Sequence, residues 1–398
     1  MRTLRIVAGL VALGSAAFGC LGPSAGPLPP APAAPAIGAP AGTTASALDP
    51  APSSGPTPGS GSAPGAAPAS APGAASSSAP SDAAQKLADL GSCTLENGGT
   101  IAPCRIGYRT FGTLDDKRSN AVLWPTWFTG TTKSLDGVPD KLVDTKRFFL
   151  ILVDAIGDGV SSSPSNSPKQ PRLQFPKFGI RDMVASQHRL VTEVFGITKL
   201  HAVAGISMGG MQAIEWSVTH PEMVGRVVPI VGTPQLTSTD LLLWSAELHA
   251  LVSDVAYKNG EYEGRPPMRA VLDIHQLQLT TPAYRAQQTS REQFPAWLAQ
   301  IESDTSFDWN DWHRQLEAML AHDVGKPYGS LEAAAKRVKA KGLVIVAEQD
   351  HMVNPGPAKA WAKATGSKLV NLDGPCGHLA PGCEQTKMQA AVKAFLAE

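Results

Sequence analysis

Short apolar segments alternate with longer amphipathic segments from Lys86 onward, and this alternation restricts the possible folds more than any other feature of the chain. The run RFFLILVDAIG is apolar throughout, which is typical of a strand buried on both faces of a sheet, and the strands CRIGYRTFG and AVLWPTWF precede it. Next come a helix, IRDMVASQHRLVTEVFG, a strand, LHAVAGIS, a second helix, MGGMQAIEWSVTHP, and a strand, GRVVPIVG. This order predicts an α/β fold in which a mostly parallel sheet carries helices on both faces.

The alternation stops between Gln235 and Leu331 and then resumes. Segments such as DLLLWSAELHALV have a helical pattern, and residues 235–331 contain no apolar run with the character of a buried strand. They are followed by the strand LVIVAEQD, the helix PAKAWAKATG, the strand KLVNLDG and a final helix that ends in KMQAAVKAFLAE. We therefore predict a core formed by residues 86–234 and 332–398, into which residues 235–331 are inserted as a helical lid.

Residues 1–20 have the layout of a secretory signal, with two arginines, an apolar stretch and small residues that lead to Cys20. The apolar stretch is too short to span a membrane. Residues 17–20, AFGC, resemble a bacterial lipoprotein cleavage box, in which the cysteine is lipidated and becomes the first residue. Ordinary signal cleavage beside an incidental cysteine is the alternative. We expect an exported, periplasmic or cell-surface lipoprotein that contacts a membrane only through an anchor at Cys20.

Residues 21–85 consist almost entirely of proline, alanine, glycine and serine, and Asp49 and Asp82 are their only charged residues. A segment with so few large apolar side chains cannot bury enough surface to offset its ordering entropy, so it is predicted to be a disordered linker. The whole chain balances 34 lysines and arginines against 34 aspartates and glutamates, and it has no basic run. Nucleic acid is therefore not an expected partner.

The chain has five cysteines, and four remain if Cys20 is lipidated. An even number in an oxidising compartment suggests disulfides, and the close spacings favour Cys93 with Cys104 and Cys376 with Cys383. Two unpaired cysteines near the carboxyl terminus, or pairing between the two groups, are the alternatives. No pair has a metal-ligand spacing such as C-x-x-C, so we expect neither a structural zinc ion nor any other metal or cofactor.

The segment GISMGGMQAIEW places Ser207 between Gly205 and Gly209. The G-x-S-x-G pattern arises easily in a chain with 38 glycines, so by itself it leaves open a glycine-rich turn with an incidental serine. The strand before Ser207 and the helix after it, however, place this serine on a sharp turn at the carboxyl end of a parallel strand. Ser207 is therefore predicted to be a nucleophile.

A serine hydroxyl needs a base that takes its proton and an acid that orients the base. Asp350 ends the strand LVIVAEQD, and His378 follows the next strand in GPCGHLAPG, which gives the order serine, acid, histidine. Glu348 and Asp373 are the alternative acids. The other histidines are interpreted as surface or packing residues, including His201, His220, His313 and His322. His351 lies next to Asp350, but no second metal ligand stands at helical spacing from it, so it is not interpreted as a metal ligand.

The oxyanion that forms on an attacked carbonyl requires hydrogen-bond donors. The backbone amide of Met208, directly after Ser207, is the first expected donor. The second is expected from the loop after an early strand, in LWPTWFTG, with Phe128 or Trp127 as the donor. The aromatic side chains of this loop can also serve core packing.

The chain resembles the homoserine O-acetyltransferases. The resemblance is carried by NAVLWPTWFTG, RFFLILVDAIGDG and the long segment from FPKFGIRDM to SMGGMQAIEWSVTHPEMV, and FDWNDWHRQLEAMLAHDV in the predicted lid is similar to a further family segment. It covers residues 104–231 strongly and the rest weakly. The resemblance implies an α/β-hydrolase fold, a triad of Ser207, Asp350 and His378, and a helical lid above them.

Two departures from the family concern the acceptor. The acetyltransferases carry an aspartate, which contacts the amino group of homoserine, directly after the catalytic histidine, where this chain has Leu379. A lid arginine holds the homoserine carboxylate, and the corresponding stretch here offers Ile274 or His275, with Arg285 about three helical turns away. Each missing charge-assisted contact costs roughly 1.5 to 3 kcal/mol, so homoserine is not the expected substrate.

Three functions are compatible with these residues. The first is an exported serine hydrolase that cleaves a small-molecule ester or similar acyl substrate through an acyl-enzyme on Ser207. The second is an acyltransferase that uses an alcohol instead of water. The third is a binding module that kept the fold without its chemistry, and the intact triad argues against it.

Overall fold

The computed structural model describes residues 84–398. The predicted signal peptide, the linker and Cys20 lie outside the described residues, apart from the last two linker residues. Eight strands form one sheet in the order β1-β4-β6-β5-β7-β8-β9-β10, and β2 and β3 form a separate pair. The strands are β1 (Lys86–Asp89), β2 (Cys93–Thr94), β3 (Thr100–Ile101), β4 (Arg105–Phe111), β5 (Ala121–Pro125), β6 (Phe149–Val153), β7 (Ala202–Ile206), β8 (Arg226–Ile230), β9 (Lys341–Ala347) and β10 (Lys368–Leu372).

The sheet is parallel from β6 to β10, whereas β4 pairs antiparallel with both β6 and β1. The predicted α/β class with a mostly parallel sheet is confirmed. The helices are α1 (Ile180–Arg189), α2 (Met208–Thr219), α3 (Ser238–Ser253), α4 (Arg269–Leu279), α5 (Pro282–Gln288), α6 (Phe294–Glu302), α7 (Trp309–Leu320), α8 (Leu331–Ala335), α9 (Pro355–Thr365), α10 (Ala380–Cys383) and α11 (Gln385–Ala397).

Alternate residues of β6 explain why its sequence is apolar throughout. Ile151 belongs to the apolar cluster that contains Trp216 of α2, whereas Leu152 belongs to the cluster that contains Val392 of α11 on the other face. All five residues of β6 are buried. Complete burial of one such side chain contributes roughly 1.5 to 3 kcal/mol, so a strand with two buried faces needs no polar positions.

The segment after α1 differs in detail from the predicted single helix. The helix changes to a π-helical turn over Leu190–Val194, and Gly196, with φ of 60°, follows the turn. A left-handed residue of this kind is a common helix stop, which is why glycine marked the end of the helix in the sequence.

Helices α3 to α7 lie within the predicted insertion. The Thr237 side chain accepts a hydrogen bond from the Asp240 amide at the start of α3, and Asp308 caps α7 in the same way. The next helix, α8, shares an apolar cluster with α9 that includes Ala334 and Trp361. The boundary predicted between residues 331 and 332 falls after the first residue of α8. Within residues 84–398 we find no helix with the length and hydropathy of a membrane span.

The buried His322, just beyond α7, makes the stability of the fold sensitive to acid. Its Nε2 lies 2.9 Å from the carbonyl oxygen of Thr233, and burial lowers the pKa of His322 from 6.5 to about 4. Between these two pH values the unfolded chain takes up a proton that the folded chain does not, so the free energy of unfolding falls as the pH falls from about 6.5 to about 4. The loss from this one group is on the order of 3 kcal/mol.

Urea unfolding midpoints measured from pH 7 to pH 4 test this prediction. We expect the His322→Gln variant to be less stable at pH 7 but to lose stability less steeply in acid than the unmodified chain. The exposed His351, replaced by glutamine, is the matched control and should keep the original slope. Equal slopes in the two variants would contradict the role given to His322.

Candidate active site

Ser207 occupies a turn of one residue between β7 and α2. Its backbone angles, φ 57° and ψ −121°, are strained for a residue with a Cβ atom, and its amide donates to the carbonyl oxygen of Ile230 on the neighbouring strand. This conformation turns the chain from strand to helix within one residue, as the sequence predicted. The side chain is thereby presented at the carboxyl edge of the sheet.

The glycines on either side of Ser207 are required by close backbone contacts. A Cβ atom on Gly205 would lie 2.3 Å from the carbonyl oxygen of Gly209, and one on Gly209 would lie 2.6 Å from the carbonyl oxygen of Pro125. Real Cβ atoms do not approach backbone atoms so closely. The G-x-S-x-G spacing is thus a packing requirement of this turn, because β7, α2 and β5 meet there at backbone distance.

The structure brings Ser207, His378 and Asp350 into one chain of hydrogen bonds. His378 Nε2 lies 2.9 Å from Ser207 Oγ, and His378 Nδ1 lies 2.7 Å from Asp350 Oδ2. A carboxylate can only accept, so Nδ1 carries the proton that is donated to Asp350, and Nε2 accepts from the serine hydroxyl. His378 and Asp350 are both buried, which shields these bonds from water.

Local backbone structure holds Asp350 and His378 in place. Asp350 Oδ1 accepts from the amides of Met352 and Val353, both at 2.9 Å, so both carboxylate oxygens are occupied. His378 lies in a 3-10 turn, Gly377–Leu379, after β10. The expectation that Asp350 ends its strand is wrong in detail, since β9 ends at Ala347 and Asp350 follows in a turn. The additional turn lets the carboxylate reach back toward the histidine.

The alternative acids lie elsewhere. Glu348 forms an ion pair with Lys359, and Asp373 forms an ion pair with Lys387 at 2.9 Å. Neither is hydrogen-bonded to His378, whose partners are Asp350 and Ser207. His322 and His313 are buried inside the fold rather than on its surface.

The residues predicted to supply the oxyanion donors either follow Ser207 in the sequence or share its cavity. Met208 is the first residue of α2, where backbone N–H groups have no acceptor within the helix. Trp127 and Phe128 follow β5 and line the same cavity as Ser207. The Phe128 ring also packs edge-to-face on Trp312 with the ring centroids 4.8 Å apart, so the loop serves core packing as well.

Two buried glutamines that sequence reasoning missed hold this loop. Gln212 Nε2, on α2, donates to the carbonyl oxygen of Thr126 at 3.0 Å, and Gln315 Oε1, on α7, accepts from the amide of Thr129 at 3.1 Å. Both side chains are fully buried. The sequence held a signal for Gln212, because a polar residue within the mostly apolar first two turns of the helix after Ser207 must find a partner inside the fold.

A cavity of about 660 Å³ opens over Ser207 between the carboxyl edge of the sheet and the helices of the predicted insertion. Trp244 of α3 and His275 of α4 line its lid side, and Leu379 lines it next to His378. No aspartate, glutamate, lysine or arginine is among the residues of the described chain, 84–398, that line this cavity. Its walls are Trp127, Phe128, Thr129, Ser134, Leu135, Gly137, Val138, Leu142, Ile206, Ser207, Trp244, His275, Leu279, Tyr284, Met352, His378, Leu379, Pro381, Gly382, Cys383, Gln385 and Met388.

The structure decides between the residues considered for the place of the family's lid arginine. His275 lines the cavity, whereas Ile274 packs against the apolar core. Arg285 is not a lining residue, and its guanidinium group stacks over the Trp297 ring at 4.2 Å from the centroid. No arginine of the described residues 84–398 is therefore in place to bind a substrate carboxylate in this cavity.

The structure contains the disulfides Cys93–Cys104 and Cys376–Cys383, the two pairs that the spacings favoured. The second closes a loop around His378. Thr281 at the start of α5 holds the same loop, because its hydroxyl donates to the carbonyl oxygen of Pro375 at 2.5 Å. Within residues 84–398 no three histidine, cysteine, aspartate or glutamate side chains form a group that could hold a metal ion.

A model of the family described as the alpha/beta hydrolase fold matches residues 128–381. A probable esterase of Corynebacterium glutamicum is 31% identical over 327 residues, which cover 73% of this chain and 88% of the esterase. A homoserine O-acetyltransferase of Chlorobaculum parvum is 30% identical over 311 residues, which cover 71% of this chain and 86% of the relative. Among solved structures, an acetylester hydrolase from Corynebacterium glutamicum superimposes with a TM-score of 0.73 at 29% identity and covers 79% of this chain and 96% of its own.

The nucleophile turn, the sheet order and these matches define one class of protein, and the chain belongs to the α/β-hydrolase fold family. Within that family it is homologous to homoserine O-acetyltransferases, which confirms the resemblance seen in the sequence, and also to esterases. It is an enzyme, either an esterase or an acyltransferase.

Proposed function

We propose that the chain is an esterase that hydrolyses small acyl esters through an acyl-enzyme on Ser207. The observation that carries the proposal is the hydrogen-bonded series Asp350, His378 and Ser207, which ends in a cavity that no aspartate, glutamate, lysine or arginine of residues 84–398 lines. An ester is uncharged and fits such a cavity, whereas a zwitterionic amino acid would lose its hydration there without gaining charge partners. The names of the relatives, which include an ethyl acetate hydrolase and an acetylester hydrolase, support a short acyl group.

The mechanism follows from the donors and acceptors in place. Ser207 Oγ attacks the ester carbonyl carbon while its proton moves to His378 Nε2, and Asp350 stabilises the imidazolium that forms. The oxyanion is held by the Met208 amide and by the amide of Phe128 or Trp127. Collapse of the tetrahedral intermediate breaks the ester C–O bond, and His378 returns the proton to the departing alcohol. In the second half of the reaction, His378 takes a proton from water as the water oxygen attacks the acyl-enzyme carbonyl carbon. His378 then returns the proton to Ser207 Oγ as the acyl C–O bond breaks, which releases the carboxylic acid.

We also propose that the enzyme is exported and anchored to a membrane at Cys20, and that residues 21–85 are the tether. Residues 235–331 are proposed to form a lid over the active site. The signal-like sequence supports export, as do two disulfides, which persist in oxidising compartments. A flexible coil of the length of the linker spans roughly 45 Å, which suffices to hold the catalytic domain clear of a lipid surface.

One labelling experiment with the full chain tests both proposals. A fluorophosphonate probe should label the unmodified enzyme and fail to label the Ser207→Ala variant, because the probe reacts only with an activated serine. Labelled enzyme should be recovered with membranes, and the Cys20→Ala variant should be labelled equally but recovered in the soluble fraction. An unlabelled wild-type chain contradicts the esterase proposal, whereas labelled enzyme that never fractionates with membranes contradicts only the anchor.

An acyltransferase is the second candidate, favoured by the acetyltransferase relative that covers 71% of this chain. Leu379 is the position at which the esterase and acyltransferase proposals can be distinguished, because it follows His378 directly, lines the cavity and is 40% exposed. We expect the Leu379→Asp variant to raise acetyl transfer from an acetyl ester to homoserine, relative to hydrolysis, by about tenfold, because one charge-assisted contact to the amino group is gained. The Leu379→Asn variant is the uncharged control. If unmodified enzyme already transfers to homoserine faster than to water, it is a transferase.

A further inference from the structure

His275 and Glu247 form a buried pair on the lid side of the cavity. Glu247, on α3, has no exposed surface, and its Oε1 lies 3.1 Å from His275 Nδ1 on α4. Glu247 Oε2 is enclosed and has no hydrogen-bond partner within residues 84–398. The histidine is thus the sole hydrogen-bond partner of this carboxyl group in the part of the chain that the structure describes.

The number of protons shared by Glu247 and His275 determines whether Nε2 of His275, the ring nitrogen that does not face Glu247, carries a proton. The two backbone amides that donate to Asp350 stabilise its charge beside a neutral His378, but Glu247 has no donor other than His275 within residues 84–398. An ionised Glu247 beside a neutral imidazole would therefore leave an uncompensated charge inside the protein, which is strongly unfavourable. Two arrangements are neutral overall. In one, a carboxylate accepts from an imidazolium; in the other, a protonated carboxyl group donates to Nδ1 of a neutral imidazole. In both arrangements Nε2 of His275 carries a proton, so it is a hydrogen-bond donor.

The surroundings of His275 leave this donor available to a ligand. Its side chain keeps 17% of its surface exposed and lines the cavity over Ser207, and Nε2 makes no hydrogen bond within residues 84–398. Aromatic rings enclose the imidazole, with centroids 5.3 Å away for Trp312, 6.1 Å for Phe128 and 6.3 Å for Trp244. Phe128 belongs to the loop beside the nucleophile. A donor fixed in an apolar wall of the cavity that contains the reacting serine selects substrates by hydrogen bonding.

We propose that His275 is a substrate-binding residue that donates from Nε2 to an uncharged oxygen of the ester, such as an ether, carbonyl or hydroxyl oxygen outside the scissile group. Glu247 is its positioning residue. The acceptor is uncharged rather than a carboxylate because the pair has no net charge with which to compensate an anion. This assignment rests on the proposed esterase function, and it names the class of ester: oxygen-bearing in preference to purely aliphatic.

Matched esters of equal size test the assignment. On the alcohol side, 2-methoxyethyl acetate is compared with butyl acetate, and on the acyl side, ethyl methoxyacetate is compared with ethyl butanoate. Each ratio of kcat/KM is divided by the ratio for hydroxide-catalysed hydrolysis, which removes the intrinsic reactivity of the oxygen-bearing ester. We expect the unmodified enzyme to prefer the methoxy ester in one of the two comparisons by about five- to tenfold, the value of one neutral hydrogen bond.

Variants show whether the preference comes from the pair. His275→Phe should abolish the preference, and Glu247→Leu should abolish it through loss of the fixed proton position. Glu247→Gln should restore it, because a carboxamide can donate to Nδ1 and keep the proton on Nε2. His249→Phe, which replaces an exposed histidine of α3 that does not line the cavity, is the matched control and should keep the preference within twofold.

The outcomes separate this inference from the proposed function. Absence of butyl acetate hydrolysis by the unmodified enzyme would overturn the esterase proposal itself. Hydrolysis of all four esters without a preference in either comparison, or a preference that persists in His275→Phe, would overturn the role of His275 alone. If Glu247→Leu does not fold, His275→Phe and Glu247→Gln still decide the matter.

Discussion

Replacement of His378 by alanine is expected to lower kcat/KM for acetyl ester hydrolysis by about 10⁴-fold or more while leaving the fold intact. His378 Nε2 lies 2.9 Å from Ser207 Oγ and is the group in place to take its proton. Without that base the serine remains a neutral hydroxyl, and the residual rate comes from the oxyanion donors and from binding alone. Steady-state hydrolysis and circular dichroism of the purified variant provide the measurement.

The exposed His351 supplies the control for this prediction. It lies next to Asp350 in sequence, and its replacement by alanine should leave the rate within a few-fold of the unmodified enzyme. A His378→Ala variant that keeps more than about 1% of the activity would show that another base acts on Ser207, which the mechanism above does not allow.

Replacement of Gly205 by alanine is the second change for which we expect a large effect. The new methyl group would lie 2.3 Å from the carbonyl oxygen and 2.9 Å from the Cα atom of Gly209, so β7 and α2 must separate. Overpacking of this kind costs about 3 kcal/mol, and a displacement of the nucleophile by about 1 Å can reduce the rate by about 100-fold. We therefore expect a lower unfolding midpoint and a loss of activity that exceeds what the unfolded fraction explains.

A glycine with open space around it provides the comparison for stability. No heavy atom lies within 4 Å of a Cβ atom built on Gly137, so Gly137→Ala should unfold at the same denaturant concentration as the unmodified chain. Equal midpoints for the Gly205→Ala and Gly137→Ala variants would show that the nucleophile turn tolerates a side chain, contrary to the contacts described.

Local pattern and chain order were sufficient to predict the fold class and the three residues that the structure joins by hydrogen bonds. Ser207 is recognisable because a strand and a helix flank it directly, and His378 because it follows the last strand on a glycine-rich loop. Such signals depend on neighbours in sequence. The place of Asp350 was not predicted exactly, because strand ends are set by pairing with the adjacent strand. β9 ends at Ala347, three residues before the end of the predicted strand LVIVAEQD.

Features that depend on contacts between distant segments could not be predicted. The four-residue strand β1 pairs antiparallel with β4 through its backbone, and its burial pattern has no clear alternation. Glu247 and His275 meet only because α3 and α4 pack side by side, and no spacing in the sequence links them. Gln315 of the lid reaches the loop of Thr129 across 186 residues for the same reason.

The separation of the nucleophile from its base along the chain has a consequence for synthesis. Ser207 precedes His378 by 171 residues, and Asp350 also lies in the last part of the chain. A ribosome-bound chain that has already formed the serine turn has neither base nor acid, and a chain cut anywhere in the lid leaves the serine on one fragment and the histidine on the other. An activated Ser207 therefore forms only after the chain has been synthesised through His378 and that residue has packed beside the serine turn.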